Sequence, residues 1–140
     1  MKKLLYSLIS LIFTASFVTA SVFLPAEYAN MKILRCEISE TIYNSDNSVV
    51  SNNNYHRIFR IDEENEYVYL QKAPVDRVFE FNKDKIEFTL TTLADEYIMS
   101  SYITINRNEN TYHSDTSITY DNPSYGTRNS KADGKCTYVD

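Results

Sequence analysis

The chain has 140 residues, with 14 Lys and Arg against 19 Asp and Glu for a formal charge of −5, and it contains 12 tyrosines, two glycines and no tryptophan. Its basic residues form no cluster, which argues against nucleic acid as a partner, because phosphate recognition rests on grouped Lys and Arg. No catalytic, cofactor or metal motif is present, and no G-x-S-x-G or S-x-x-K pattern frames any of the serines as a nucleophile.

Met1-Lys2-Lys3 precedes an uncharged run from Leu4 to Leu24, and Val18 and Ala20 supply small residues before Ser21. A basic start, an apolar stretch and a small-residue site predict a secretory signal peptide over residues 1–20, with a β-rich domain over 21–140. An uncleaved anchor is the competing reading, since 18 or more uncharged residues are enough to span a bilayer. Cleavage removes Lys2 and Lys3, leaving 12 basic against 19 acidic residues and a net charge of −7. The expected location is periplasmic or secreted, with no integral membrane span after cleavage.

Beyond "SVFLPAEYAN", where Pro25 offers a first turn of helix, the pattern has period two. Leu34, Cys36, Ile38 and Ile42 share one side of the first strand. Asn44–Asn54 reads as a long polar loop, followed by a hairpin of "YHRIFRI" and "EYVYLQ" turning at 62–65. Lys72-Ala73-Pro74 interrupts the pattern. "DRVFEF" and "KIEFTLT" then flank Asn82-Lys83-Asp84, "LADEY" gives a short helical signal, and "YIMSSYITINR" turns at Asn108-Glu109-Asn110 into "TYHSDTSITY". A second polar loop, Asp121–Gly134, leads to a closing strand "KCTYV". The fold class predicted is all-β, a single small antiparallel domain of about eight strands, forming an up-and-down barrel or strongly curved meander; a sandwich is the alternative. With so few glycines, the tight turns are expected to rely on Asn and Asp.

Export places Cys36 and Cys136 in an oxidising compartment, which predicts a disulfide between the first and last strands, reinforcing the seam of a barrel. Inward-facing bulk is expected from Leu34, Ile38, Phe59, Ile61, Val68, Leu70, Phe79, Phe81, Ile86, Phe88, Leu90, Ile103 and Ile105, enough to fill a small barrel. His56, His113 and Asp115 are the only metal candidates, at spacings that do not place them together. Tyr97, Tyr102, Tyr112, Tyr120, Tyr125 and Tyr138 crowd the C-terminal third and form a candidate binding face, since an amphipathic ring suits recognition surfaces.

The segment "ITINRNENTY", followed later by "GKC", resembles the C-terminal half of small exported bacterial proteins of unknown function, which carry an I-x-I-N-R-x-T-G hairpin before a closing G-x-C. Here Asn108-Glu109-Asn110 stands where those proteins have Thr and Gly, and the likeness covers about 40 residues. The resemblance implies export and a β-rich fold, and no activity. The reading that follows is a non-enzymatic exported domain, without cofactor or metal, that binds a protein or envelope component. Two alternatives stand beside it. One is an inhibitor of a periplasmic or host enzyme, acting through the loop 44–54 or 121–134. The other is a small-molecule carrier with an interior cavity.

Overall fold

Alternation of side chains along the first strand divides it into two faces, with Leu34, Cys36 and Ile38 buried and Arg35, Glu37 and Ser39 exposed. The computed structural model describes residues 30–140; the expected signal segment and the helical signal at 21–29 lie outside the described residues. Lys32–Asp140 forms one unit. It contains β1 (Lys32–Tyr43), β2 (Val49–Asp62), β3 (Tyr67–Leu70), β4 (Ala73–Pro74), β5 (Arg77–Phe81), β6 (Lys85–Leu93), β7 (Tyr97–Asn106), β8 (Thr111–Tyr120) and β9 (Thr127–Val139).

All nine strands belong to one antiparallel sheet in the order β4-β3-β2-β1-β9-β8-β7-β6-β5, curled into a half-barrel. Every strand lies beside its chain neighbour except across one gap, and the first strand lies beside the last. The expected all-β curled meander is therefore present, but its opening is not between the termini. β1 and β9 pair from Ile33–Val139 to Tyr43–Asn129, in the interior of the sheet. The free edges are β4 and β5, consecutive in sequence and joined only by Val75 and Asp76. Val75 is buried in this opening, where its N–H donates to Val68 O (3.2 Å) and its carbonyl accepts from Tyr67 Oη (2.7 Å). Pro74, which has no N–H to offer a ladder, sits on the edge strand that tolerates it.

Two polar stretches read as loops are largely strand. Asn44–Ser48 is the whole turn, and β2 begins at Val49; Ser39 Oγ and Thr41 Oγ1 donate to Asn54 Oδ1 and Asn52 Oδ1 at 2.9 Å each, so the asparagines are held by cross-strand partners. At the other end Asp121–Gly126, with a short 3-10 turn at Pro123–Tyr125, replaces the expected longer loop, and β9 runs for 13 residues. Its weak intrinsic preference is overridden because β1 and β8 flank it on both sides. "LADEY" forms the β6–β7 turn rather than a helix. Left-handed backbone occurs at Asn47 and Asn110, as expected of asparagine, but also at Glu66 and Gln71.

The core is apolar and aromatic. Phe59 of β2 meets Phe88 of β6 edge-on at 5.6 Å and stacks on Tyr112 of β8 at 6.1 Å, so three rings join opposite walls of the curl. Of the expected inward positions, Phe79 alone lies outside. β5 pairs Val78 with Phe88 but Glu80 with Glu87, a bulge that lets Val78 and Phe81 both pack on the core and leaves the Phe79 between them 50% exposed. Toward the other end the inner wall becomes polar. Ser101 and Thr116 share a hydrogen bond (2.8 Å), and Ser130 donates to Glu40 (2.8 Å). Arg57 Nη1, Tyr112 Oη and Arg128 Nε are buried without a hydrogen-bond partner among the described residues. Tyr112 lies against the Ser114 hydroxyl without the geometry of a full bond, and burial pushes the Tyr55 phenol up to about 12.

Candidate binding face

Strand register converts the outward-facing residues into rows that cross the sheet. One row runs Thr89, Tyr102, Asp115, Lys131, Thr41, Asn52 from β6 through β7, β8, β9 and β1 to β2. The next runs Thr91, Ser100, Ser117, Asn129, Tyr43. Neighbours within a row are about 4.8 Å apart by strand spacing, so the donors and acceptors form a regular array. A broad open depression over β6–β9 is lined by members of these two rows, among them Thr89, Tyr102, Asp115, Ser117, Asn129 and Lys131, together with the largely buried Leu90, Ser101, Thr116 and Ser130 that alternate with them, and with Asp76 and Asn47.

At one flank the array carries aromatic surface. Tyr102, 40% exposed, packs at 5.8 Å against the bulge-exposed Phe79, whose ring lies 4.9 Å from the Arg77 guanidinium. Tyr102 Oη donates to Glu87 Oε2 (2.8 Å), which fixes the ring and raises the phenol's pKa. Glu87 in turn is held below the usual carboxylate range by Lys85 and then Tyr102, while Lys85, bridged to Glu87 (2.8 Å) and Glu80 (3.0 Å), is raised. The ring is thus anchored from one side with its other surface free of polar demands.

His113 lies in the next row, flanked by Asp133 (2.8 Å) and Asp115 (3.2 Å) on its two ring nitrogens. Asp133, and to a lesser degree Asp115, raises the imidazole's pKa against an opposing effect of burial. Both nitrogens are occupied by carboxylates, so no serine or threonine hydroxyl is in contact with this base. His56 lies on β2, with β9 and β1 intervening, and faces Glu37. Among the described residues no three His, Cys, Asp or Glu side chains gather to hold a metal ion.

The six tyrosines do not share a face. Tyr97 and Tyr120 pair across β7 and β8 at 5.9 Å, and Tyr125 joins Tyr120 at 5.5 Å beneath Arg128, making one cluster at the end of the sheet. Tyr138 lies by Lys32 and Arg107 at the opposite end. Tyr112, 1% exposed, belongs to the core, and only Tyr102 lines the depression. Its companions there, Asp115, Lys131, Asn129 and the hydroxyls, carry no local sequence signal; the register rows that unite them exist only once the strands are paired. The loops proposed for an inhibitor shrink to Asn44–Ser48 and Asp121–Gly126, the rest being sheet.

The closing cysteines form the expected disulfide, Cys36–Cys136, between directly opposed residues of β1 and β9, spanning 100 residues of sequence. No helix among the described residues is long and apolar enough to cross a membrane. Comparison with protein-family models, with curated proteins and with solved structures finds no match to the chain.

Proposed function

We propose that this protein is an exported β-domain that acts by binding, through the outer face of β6–β9. One observation carries the reading: the concavity there is lined by an ordered array of exposed hydroxyls, with the Asn129 amide and with Asp115 opposite Lys131 across β8 and β9, beside an anchored tyrosine. Such a surface offers many donors and acceptors and holds no hydroxyl activated by a neighbouring base, so recognition is the role its chemistry suits. Export is supported by the Lys2-Lys3 start with its uncharged run, and by a disulfide of the kind that persists in oxidising compartments. A periplasmic or secreted location follows from that reading, as does an acidic mature chain starting at Ser21.

The test uses protein purified from the exporting cell, with intact mass fixing its first residue. The mature protein and a Tyr102→Ala, Lys131→Ala variant serve as baits on envelope extract. The expected result is a component retained by the wild type and lost by the variant. Equal retention by both, or a signal segment still attached in the membrane fraction, overturns the binding-face and export readings respectively.

A further inference from the structure

Resting on that binding reading, we infer that the ligand of the β6–β9 face is a carbohydrate, a neutral polyhydroxylated chain lying across the strands. The lining residues select for it by elimination and by fit. The depression carries Asp76 and Asp115 against Lys131 alone, so it offers no cationic cluster to a phosphate or polyanion. Its lining mixes hydroxyls and an amide with aliphatic and aromatic carbon, Leu90 and Tyr102 included, a surface that suits a ligand with both polar and apolar faces. A sugar ring has the complementary pair of properties: equatorial hydroxyls that both donate and accept, and an apolar C–H face. Asp115 and Lys131, directly paired across β8 and β9, present an acceptor and donors side by side, the arrangement that engages two vicinal hydroxyls.

Tyr102 supplies the platform for the apolar face. It stands beside Asp115 in the same row, its hydroxyl is held by Glu87, and its ring continues into Phe79. The bulge in β5 has a part here, because it lets Val78 and Phe81 both face the core while Phe79 between them stays outside against Tyr102. Ser100, Ser117 and Asn129 form a second row alongside the first, so a chain lying across the strands along the Tyr102 row is flanked over its length by hydroxyls and an amide. Single hydrogen bonds contribute little net free energy in water, and affinity on such a face comes from many weak contacts made together.

The experiment applies the mature, oxidised protein to immobilised neutral oligosaccharides of cellulose, chitin and mixed-linkage glucan, and in a separate arm to purified peptidoglycan sacculi. Tyr102→Ala and Asp115→Asn are compared with Tyr125→Ala, a tyrosine away from the face, with circular dichroism verifying that each variant is folded. The expected result is saturable retention on at least one glycan, weakened roughly tenfold or more by Tyr102→Ala and by Asp115→Asn but not by Tyr125→Ala. Retention on sacculi alone assigns the envelope's own glycan, and retention on the free oligosaccharides assigns an external one. Silence in both arms overturns the carbohydrate inference. If the variant bait has meanwhile lost an extract component that the wild type retains, the binding face stands with a ligand of another class. Glycan retention equal in wild type and face variants also overturns the inference, because it places the sugar elsewhere.

Discussion

His113 shows how one residue on the outer face acquires a measurable property from its row. Asp133 and Asp115 favour the imidazolium, so its pKa in the folded protein lies above the 6.5 of a free side chain. A raised folded-state value means the stabilisation is fully present below the unfolded pKa and is lost as pH rises through the folded one. The group is half exposed, so the effect on stability is small and is better read spectroscopically. In a proton NMR titration, Asp133→Asn is expected to lower the His113 midpoint, because it removes the carboxylate that contributes most to the upward shift. Gly134 makes a second residue-scale case. A Cβ there meets Glu37 O at 2.4 Å and Ile38 Cγ1 at 3.1 Å, whereas one at Gly126 meets nothing within 4 Å. Gly134→Ala therefore forces β1 from β9 beside the disulfide and is expected to cost about 1–3 kcal/mol, measured as a lower urea midpoint at unchanged slope. At Gly126, which has a φ of 62°, the same change meets only backbone strain.

At the scale of elements, the turns at the apolar end are tied together by one side chain. Arg107, just past β7, pairs with Glu63 of the β2–β3 turn, donates to Asn82 O of the β5–β6 turn (3.0 Å) and lies 5.5 Å from the Phe81 ring. Burial raises the Glu63 pKa, but the Arg107 hydrogen bond and charge outweigh it and the net shift is downward. Arg107→Ala removes a hydrogen-bonded cation from a largely buried position and is expected to destabilise by about 1–3 kcal/mol in chemical denaturation, more than Arg35→Ala on the exposed face of β1. Arg107 also shows what was legible in the sequence. Ile103 and Ile105 announce their burial by alternation, and Asn108-Glu109-Asn110 announces a turn, which Asn106 at the strand end secures by accepting from Asn108 N (3.0 Å) and Glu109 N (3.1 Å). The partner Glu63, 44 residues away, leaves no local trace. Strand identity was therefore readable wherever large apolar residues alternate. It failed at Val49–Asn54 and Thr127–Gly134, where small polar residues are held as strand by their neighbours. The depression over β6–β9 left no local signal for the same reason: its rows are a product of register, and of the six tyrosines only Tyr102 lines it.

For the whole molecule, the position of the disulfide decides what it can and cannot do. A bridge at a barrel's opening closes an edge, whereas Cys36–Cys136 joins two strands already paired from Ile33 to Tyr43 in the middle of the sheet, far from the β4–β5 gap. It adds no pairing to the native state. Its contribution lies in the unfolded chain, where closing a loop of this length is worth about 4.7 kcal/mol in the chain-entropy model. The β1–β9 ladder, by contrast, carries the topology: among the described residues it is the only pairing that brings the two ends of the chain together, and without it the sheet divides into β4-β3-β2-β1 and β9-β8-β7-β6-β5. Replacing both cysteines by alanine is accordingly expected to lower the melting temperature by roughly 10–20 °C while the far-ultraviolet circular dichroism of the folded protein stays β-rich. The cost should appear mainly in the folding rate, because the long-range β1–β9 contact must then form across an unlinked chain. Stopped-flow refolding of the oxidised and cysteine-free forms measures this. Slower folding with a similar unfolding rate is the expected outcome, and a loss of β structure at low temperature would instead make the bridge, not the ladder, the element that defines the fold.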